Sequence, residues 1–204
     1  MSGFPTDWSD PNILETNNIG PKAIDAAQQL ADRGYEVLAG LNSEFAAQIL
    51  TMSGEPAIRE YCPKDLSERF TDQAATQKWL SKQRAVYLLI KQGEQELAGY
   101  GWAGPASSSN VPGGETTFAL RIGESGHGQG LAAPFSWLIM AATAVHYGAQ
   151  NFWLETWSSN GAAVHIYQKL GFENTTEVPS KRLTLNGEKI SDTRLFMTLP
   201  RLKL

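Results

Sequence analysis

Apolar positions recur three and four apart through Ala23–Arg33 (AIDAAQQLADR), which predicts a helix ending at Gly34 as its C-cap. Tyr35–Leu41 then reads as a strand, and Asn42-Ser43 offers an N-cap to a helix over Glu44–Met52. Gly54, Pro56 and Pro63 make the next stretch irregular, up to a helix over Asp72–Lys82. Three strands follow, at Ala85–Lys91, Glu96–Ala103 and Thr116–Ile122, and the short QGEQ connection makes the first two an antiparallel hairpin. A glycine loop leads into an apolar helix from about Gly130 to Tyr147. A strand (Asn151–Thr156), a helix (Asn160–Leu170) and a closing β region complete the chain. In that region Asn186-Gly187 marks a hairpin turn and Leu195–Leu199 the last strand. The first twenty residues carry no periodicity and read as a loose arm.

This order, antiparallel strands and then parallel ones with helices between, predicts an α+β (mixed α/β) fold in one domain. The length of 204 residues and the 42% apolar content fit one domain with a real core. Residues 1–34 read as an arm with a short helix, and residues 35–204 as the domain itself.

Charge changes the picture. Asp, Glu, Lys and Arg make up 19% of the chain, against roughly 25% in soluble domains. None of them falls between Ser125 and Leu154. Leu131–Ala149 lies inside this window and approaches the roughly 20 residues that span a bilayer. Pro134, Ser136, Thr143 and His146 interrupt it, and no Lys or Arg flanks it, so a buried helix is the better reading and no membrane partner is expected. The net charge of −4 argues against nucleic acid and is compatible with a cationic substrate. Cys62 stands alone, which excludes an intramolecular disulfide and a Cys-rich zinc site. His146 and His165 show no metal-ligand spacing, so no metal is expected. No basic stretch followed by an apolar run opens the sequence, and a cytoplasmic location is the expectation.

Chemistry concentrates in GESGHGQG, between Ile122 and Leu131. A strand, a glycine loop and a helix N-terminus together bind phosphate through backbone amides and the helix dipole, which would dispense with lysines. The absence of GK[ST] excludes a P-loop. Gly128, Gly130 and Ala133 do fit a dinucleotide G-x-G-x-x-A, but too little chain follows for the remaining βαβ units.

A second motif, ETWSSNGAAVHIYQKLGF (Glu155 to Phe172), separates the alternatives. With LRIGESGHGQGLA (Leu120 to Ala132), it resembles the GNAT superfamily of acyl-CoA N-acyltransferases. His127-x-x-Gly130-x-Ala132 occupies the R/Q-x-x-G-x-G/A core of that family, and Asn160-x-x-Ala163-x-x-x-Tyr167 its second signature. Around the second motif the chain is most similar to ribosomal-protein N-terminal (alpha-amino) acetyltransferases, in which a glutamate precedes the tyrosine as Glu155 precedes Tyr167. It departs from them at Trp157, where an arginine is usual.

The resemblance implies a central, mostly antiparallel sheet with splayed parallel strands at the cofactor site. It also implies acetyl-CoA as co-substrate and an amine acceptor, either a protein N-terminus or a small molecule. A homodimer is an open option. Tyr167 is the implied acid for the leaving thiolate, although its apolar neighbours would equally suit a core tyrosine. Glu155 is the first choice of base, with Glu115, Glu124 or a water chain as alternatives. Gly128, Gln129, Gly130, Leu131 and Ala132 would take the pyrophosphate. His127 would bring less charge there than the family's arginine. Leu120 and Ile122 would offer backbone groups to pantetheine. Asn160 would bond that arm or simply cap its helix. Trp102, Trp153 and Trp157 are candidates for an acceptor pocket, although strand aromatics more often serve a core. Two rival functions stay open: a non-catalytic acyl-CoA-binding module and a nucleotide-cofactor oxidoreductase.

Overall fold

A computed structural model describes residues 20–82 and 84–202, so the arm read over residues 1–20 lies outside them except for its last residue. The chain runs α1 (Pro21–Ala31), β1 (Tyr35–Ala39), α2 (Ser43–Ser53), α3 (Pro56–Tyr61), a π turn (Asp65–Arg69) and α4 (Gln73–Leu80). It continues through β2 (Ala85–Lys91), β3 (Leu97–Pro105), β4 (Thr116–Ile122) and a 3₁₀ turn (Glu124–Gly126). Then come α5 (Ala132–Tyr147), β5 (Phe152–Trp157), α6 (Gly161–Lys169), β6 (Glu173–Leu183) and β7 (Lys189–Leu199).

Local chemistry sets several of these limits. The side chains of Asn42, Asp72 and Asn160 accept from the amides of Phe45, Ala75 and Ala163 and so start α2, α4 and α6. α5 begins at Ala132 rather than Gly130, because Gly130 takes a left-handed φ of 71° that a helix excludes. The stretch expected to be irregular holds α3 and the π turn. Pro56 breaks α2 but then opens α3 from its first turn, where its missing N–H costs nothing.

The strands form one sheet in the order β1-β2-β3-β4-β5-β7-β6. β4 and β5 run parallel and the other neighbours antiparallel, so the dinucleotide-fold alternative falls. β4 and β5 share one pair, Thr117 with Trp153, and then diverge. Beyond it, β4 stays paired to β3 as far as Ile122 with Gly99, and alternate backbone groups are left facing the opening.

Each face of the sheet carries its own core. On one side α1 and α5 pack through Leu30, Phe135, Ile139 and Met140 against Tyr87, Phe118 and Leu154. A Cβ on Gly101 would collide with Ile139, so that glycine lets α5 lie directly on β3. The uncharged stretch is thus a helix with its middle buried. No helix among the described residues is long and apolar enough to cross a membrane. On the other face, α2, α4 and the π turn close over Ile49, Phe70, Leu80, Tyr100 and Trp102.

Candidate active site

Where β4 and β5 separate, a cavity of about 1280 Å³ opens between the two cores. One end is the glycine loop. Gly128 and Gly130 hold φ of 74° and 71°, and a Cβ on Gly128 would meet no atom within 4 Å. Here left-handed backbone, not crowding, calls for glycine. Gly126, His127, Gly128, Gly130, Leu131 and Ala132 all line the wall.

Gln129 does not. Its side-chain oxygen accepts from the Tyr35 hydroxyl at 2.8 Å and its amide donates to the Ser125 carbonyl at 2.6 Å, tying the loop to β1. His127 is also occupied, with Nε2 3.0 Å from the Ile122 carbonyl. One positive charge does stand beside the loop. The Arg33 guanidinium, which bonds the Gln29 carbonyl, would lie 3.8 Å from a Cβ on Gly130. Sequence reading missed Arg33 because it sits some hundred residues upstream, at the end of α1, outside any motif.

Leu120, Ile122, Asn160, Tyr167 and Glu155 also line the wall. The side chains of Leu120 and Ile122 pack partly into the first core. Tyr167 is 8% exposed, its ring 6.0 Å from those of Phe118 and Phe172. Burial, only partly offset by the charge of Arg121, pushes its hydroxyl up to about 12, so it holds its proton at neutral pH. The ring belongs to the first core, and the residue also lines the cavity. Asn160 likewise caps α6 at 3.2 Å and faces the cavity.

Glu155 lies 3.7 Å from Arg194, whose guanidinium covers the Trp157 ring at 3.8 Å. Glu115 and Glu124 are exposed, and neither lines the cavity. The amide of Glu115 donates to Asn151, and that of Glu124 to Glu55.

The far end is aromatic and cationic. Trp102, Trp153 and Trp157 all border it, joined by Trp79 and Tyr61. Asp65 is fully buried and accepts from Arg69 and Arg121, each at 2.8 Å. Arg121 lies over Trp102, and Arg69 and Arg84 lie over Trp79. Burial pushes the Cys62 thiol up despite the nearby Arg121. The Trp157 indole donates to the Tyr61 carbonyl, and Arg182 bonds Glu60 and Asp192, fastening α3 to the β6–β7 hairpin. None of these charged residues stood out in the sequence, since the π turn has no motif and its partners are far apart in the chain.

A cleft at splayed parallel strands, with a glycine loop on one side and a tyrosine-bearing helix on the other, is the arrangement that the sequence resemblance implied. The chain belongs to the GNAT acetyltransferases: the profile of the Acetyltransferase (GNAT) domain matches residues 37–173. Three solved structures illustrate the shared fold. Spermidine N-acetyltransferase from Vibrio cholerae, in complex with CoA and spermine, has a TM-score of 0.67 at 15% identity, covering 83% of this chain and 96% of that one. Ribosomal-protein-S5-alanine acetyltransferase from Vibrio fischeri scores 0.65 at 12%, covering 82% and 93%. The yncA protein of Salmonella typhimurium, solved with its cofactor acetyl-CoA, scores 0.62 at 17%, covering 84% and 96%. No curated protein matches the sequence.

Proposed function

We propose that this chain transfers acetyl from acetyl-CoA to a primary amine by direct attack. The observation that carries the reading is that the glycine loop, Asn160, Tyr167 and Glu155 all line the one cavity at the β4–β5 splay. Open space above Gly128 and the adjacent Arg33 suit a pyrophosphate, with backbone amides and the dipole of α5 as the remaining donors. The backbone of β4 near Leu120 and Ile122 suits the pantetheine amides through its N–H groups, since the Leu120 carbonyl accepts from Arg121 and the Ile122 carbonyl is met by His127.

The acceptor enters as an ammonium and loses one proton, to Glu155 directly or through water. Its nitrogen then attacks the thioester carbonyl to give a tetrahedral intermediate. As that collapses, the C–S bond breaks and the Tyr167 hydroxyl protonates the sulfur. The second proton of the nitrogen passes through water to the resulting tyrosinate, and Glu155 returns the first proton to solvent. Each transfer contributes typically about 10²–10⁴-fold. Glu155 is favoured over Glu115 and Glu124 because it alone of the three lines the wall.

The test is steady-state acetylation by the full chain and by Tyr167→Phe. We expect kcat to fall at least about 100-fold, with KM for acetyl-CoA little changed. Equal turnover removes Tyr167 as the acid. Binding of acetyl-CoA with no transfer to any amine would favour the non-catalytic acyl-CoA module instead.

A further inference from the structure

The cavity wall has the opposite sign to the molecule. The chain carries a formal −4, yet cations outnumber carboxylates along the wall. Most of those cations have a partner. Arg182 pairs with Glu60 and Asp192, Arg194 with Glu155, and Lys64 with Glu68. Asp65 serves both Arg69 and Arg121, one carboxylate for two guanidiniums. Arg84 has no carboxylate partner among the described residues. Its guanidinium lies 3.9 Å from the centre of the Trp79 ring, and Arg69 lies 5.1 Å from the same ring. Two guanidiniums thus meet on one indole of the cavity wall, and one of them lacks a carboxylate partner among the described residues.

We infer that the acceptor amine also bears a carboxylate, which seats on the Arg84–Trp79–Arg69 clamp. The preferred acceptors are thus amino acids or peptides with an acidic residue near a free N-terminus, not polyamines. This rests on the acetyl-transfer reading above. Trp79 packs into the core under α2, α4 and the π turn, while Arg84 precedes β2 and also lies near Tyr147 at the C-terminal end of α5. The glycine loop leads into the N-terminal end of that helix. A guanidinium stacked on an indole keeps its N–H groups at the rim, where they can take a carboxylate in bidentate fashion. Burial, and then the like charge of Arg69, pull Arg84 down from its ordinary value, and a bound anion would relieve both. A polyamine would instead bring further positive charge against Arg69, Arg84 and Arg121.

Two measurements test this. Tryptophan fluorescence, reported by Trp79 and Trp102, follows binding of N-acetylalanine and of its amide to the full chain, to Arg84→Gln and to Arg84→Lys. The acid should bind at least ten-fold more tightly than the amide, Arg84→Gln should abolish the difference, and Arg84→Lys should restore part of it. Kinetics then compare alanine, C-terminally amidated Ala-Glu and Ala-Gln peptides, and spermidine. Arg84→Gln should raise KM at least ten-fold for acceptors with a carboxylate and leave kcat nearly unchanged. A preference for alanine over Ala-Glu would assign the clamp to the α-carboxylate, and the reverse to a peptide side chain. Equal affinity for acid and amide, or spermidine as the best acceptor, overturns the inference and leaves acetyl transfer standing. Acid-selective binding without any transfer leaves the anion site and sinks the transfer reading.

Discussion

Asp65 concentrates the energetics of the aromatic end of the cavity in one side chain. It is fully buried between Arg69 and Arg121. Removing one partner of a buried ion cluster leaves uncompensated charge and costs about 3–5 kcal/mol. Asp65→Ala should therefore lower the urea midpoint of unfolding by that equivalent, even in the absence of any ligand. A loss below about 1 kcal/mol would show that water already screens the cluster. Tyr100 is buried beside it and stacks on Trp102 with centroids 6.0 Å apart. At this scale the sequence was informative only where a residue belonged to a motif. Tyr167, Asn160 and Glu155 were legible because each carries a signature neighbour. Asp65, Arg84 and Arg33 were not, because their roles depend on partners that only folding brings near.

Among the elements, the glycine loop turns a sequence signature into backbone geometry. An alanine at Gly130 must hold a φ of 71°, which costs an L-residue roughly 1–2 kcal/mol, while its Cβ approaches the guanidinium of Arg33. Gly130→Ala should weaken acetyl-CoA binding in calorimetry by at least several-fold, with a smaller loss of thermal stability. Undiminished affinity would mean the pyrophosphate lies elsewhere. Apolar runs between clear turn signals made β2, β3, β4, α5 and β5 legible to within a few residues, and a cap with helical spacing did the same for α6. Reading failed where period and burial disagree. β6 and β7 run eleven residues each, but much of their length is exposed and polar, so only the Asn186-Gly187 turn and the apolar end Leu195–Leu199 stood out. α3 and the π turn are too short for a hydrophobic stripe, and prolines at their borders suggested a loop.

At the scale of the whole molecule, the net charge and the charge of the cavity wall differ in sign. The −4 that was compatible with a cationic ligand belongs to the surface as a whole, whereas the cavity is cationic. Burial also sets the response to pH. It raises the hydroxyls of Tyr87 and Tyr100 above their ordinary value and that of Tyr167 to about 12. Below pH 10 both folded and unfolded chains keep these protons. Above it the unfolded chain ionises first, so stability falls as pH rises from about 10 towards 12. Asp192 works on the acid side. Burial alone would raise it, but hydrogen bonds from Ser159, Ser158, the Thr193 amide and Arg182 hold it at about 2. Its contribution is present above pH 4 and is lost as pH falls from about 4 to 2. Melting temperature should therefore be flat through neutrality and decline at both ends. A steep loss between pH 6 and 8 would contradict this assignment.

The lone Thr117–Trp153 pair makes the sheet two rafts, β1–β4 and β5–β7, moored to each other at one rung. A ligand lying in the gap touches both rafts, so it acts as a second mooring as well as a reactant. A ligand that bridged the gap would add stability to the folded chain in proportion to its affinity.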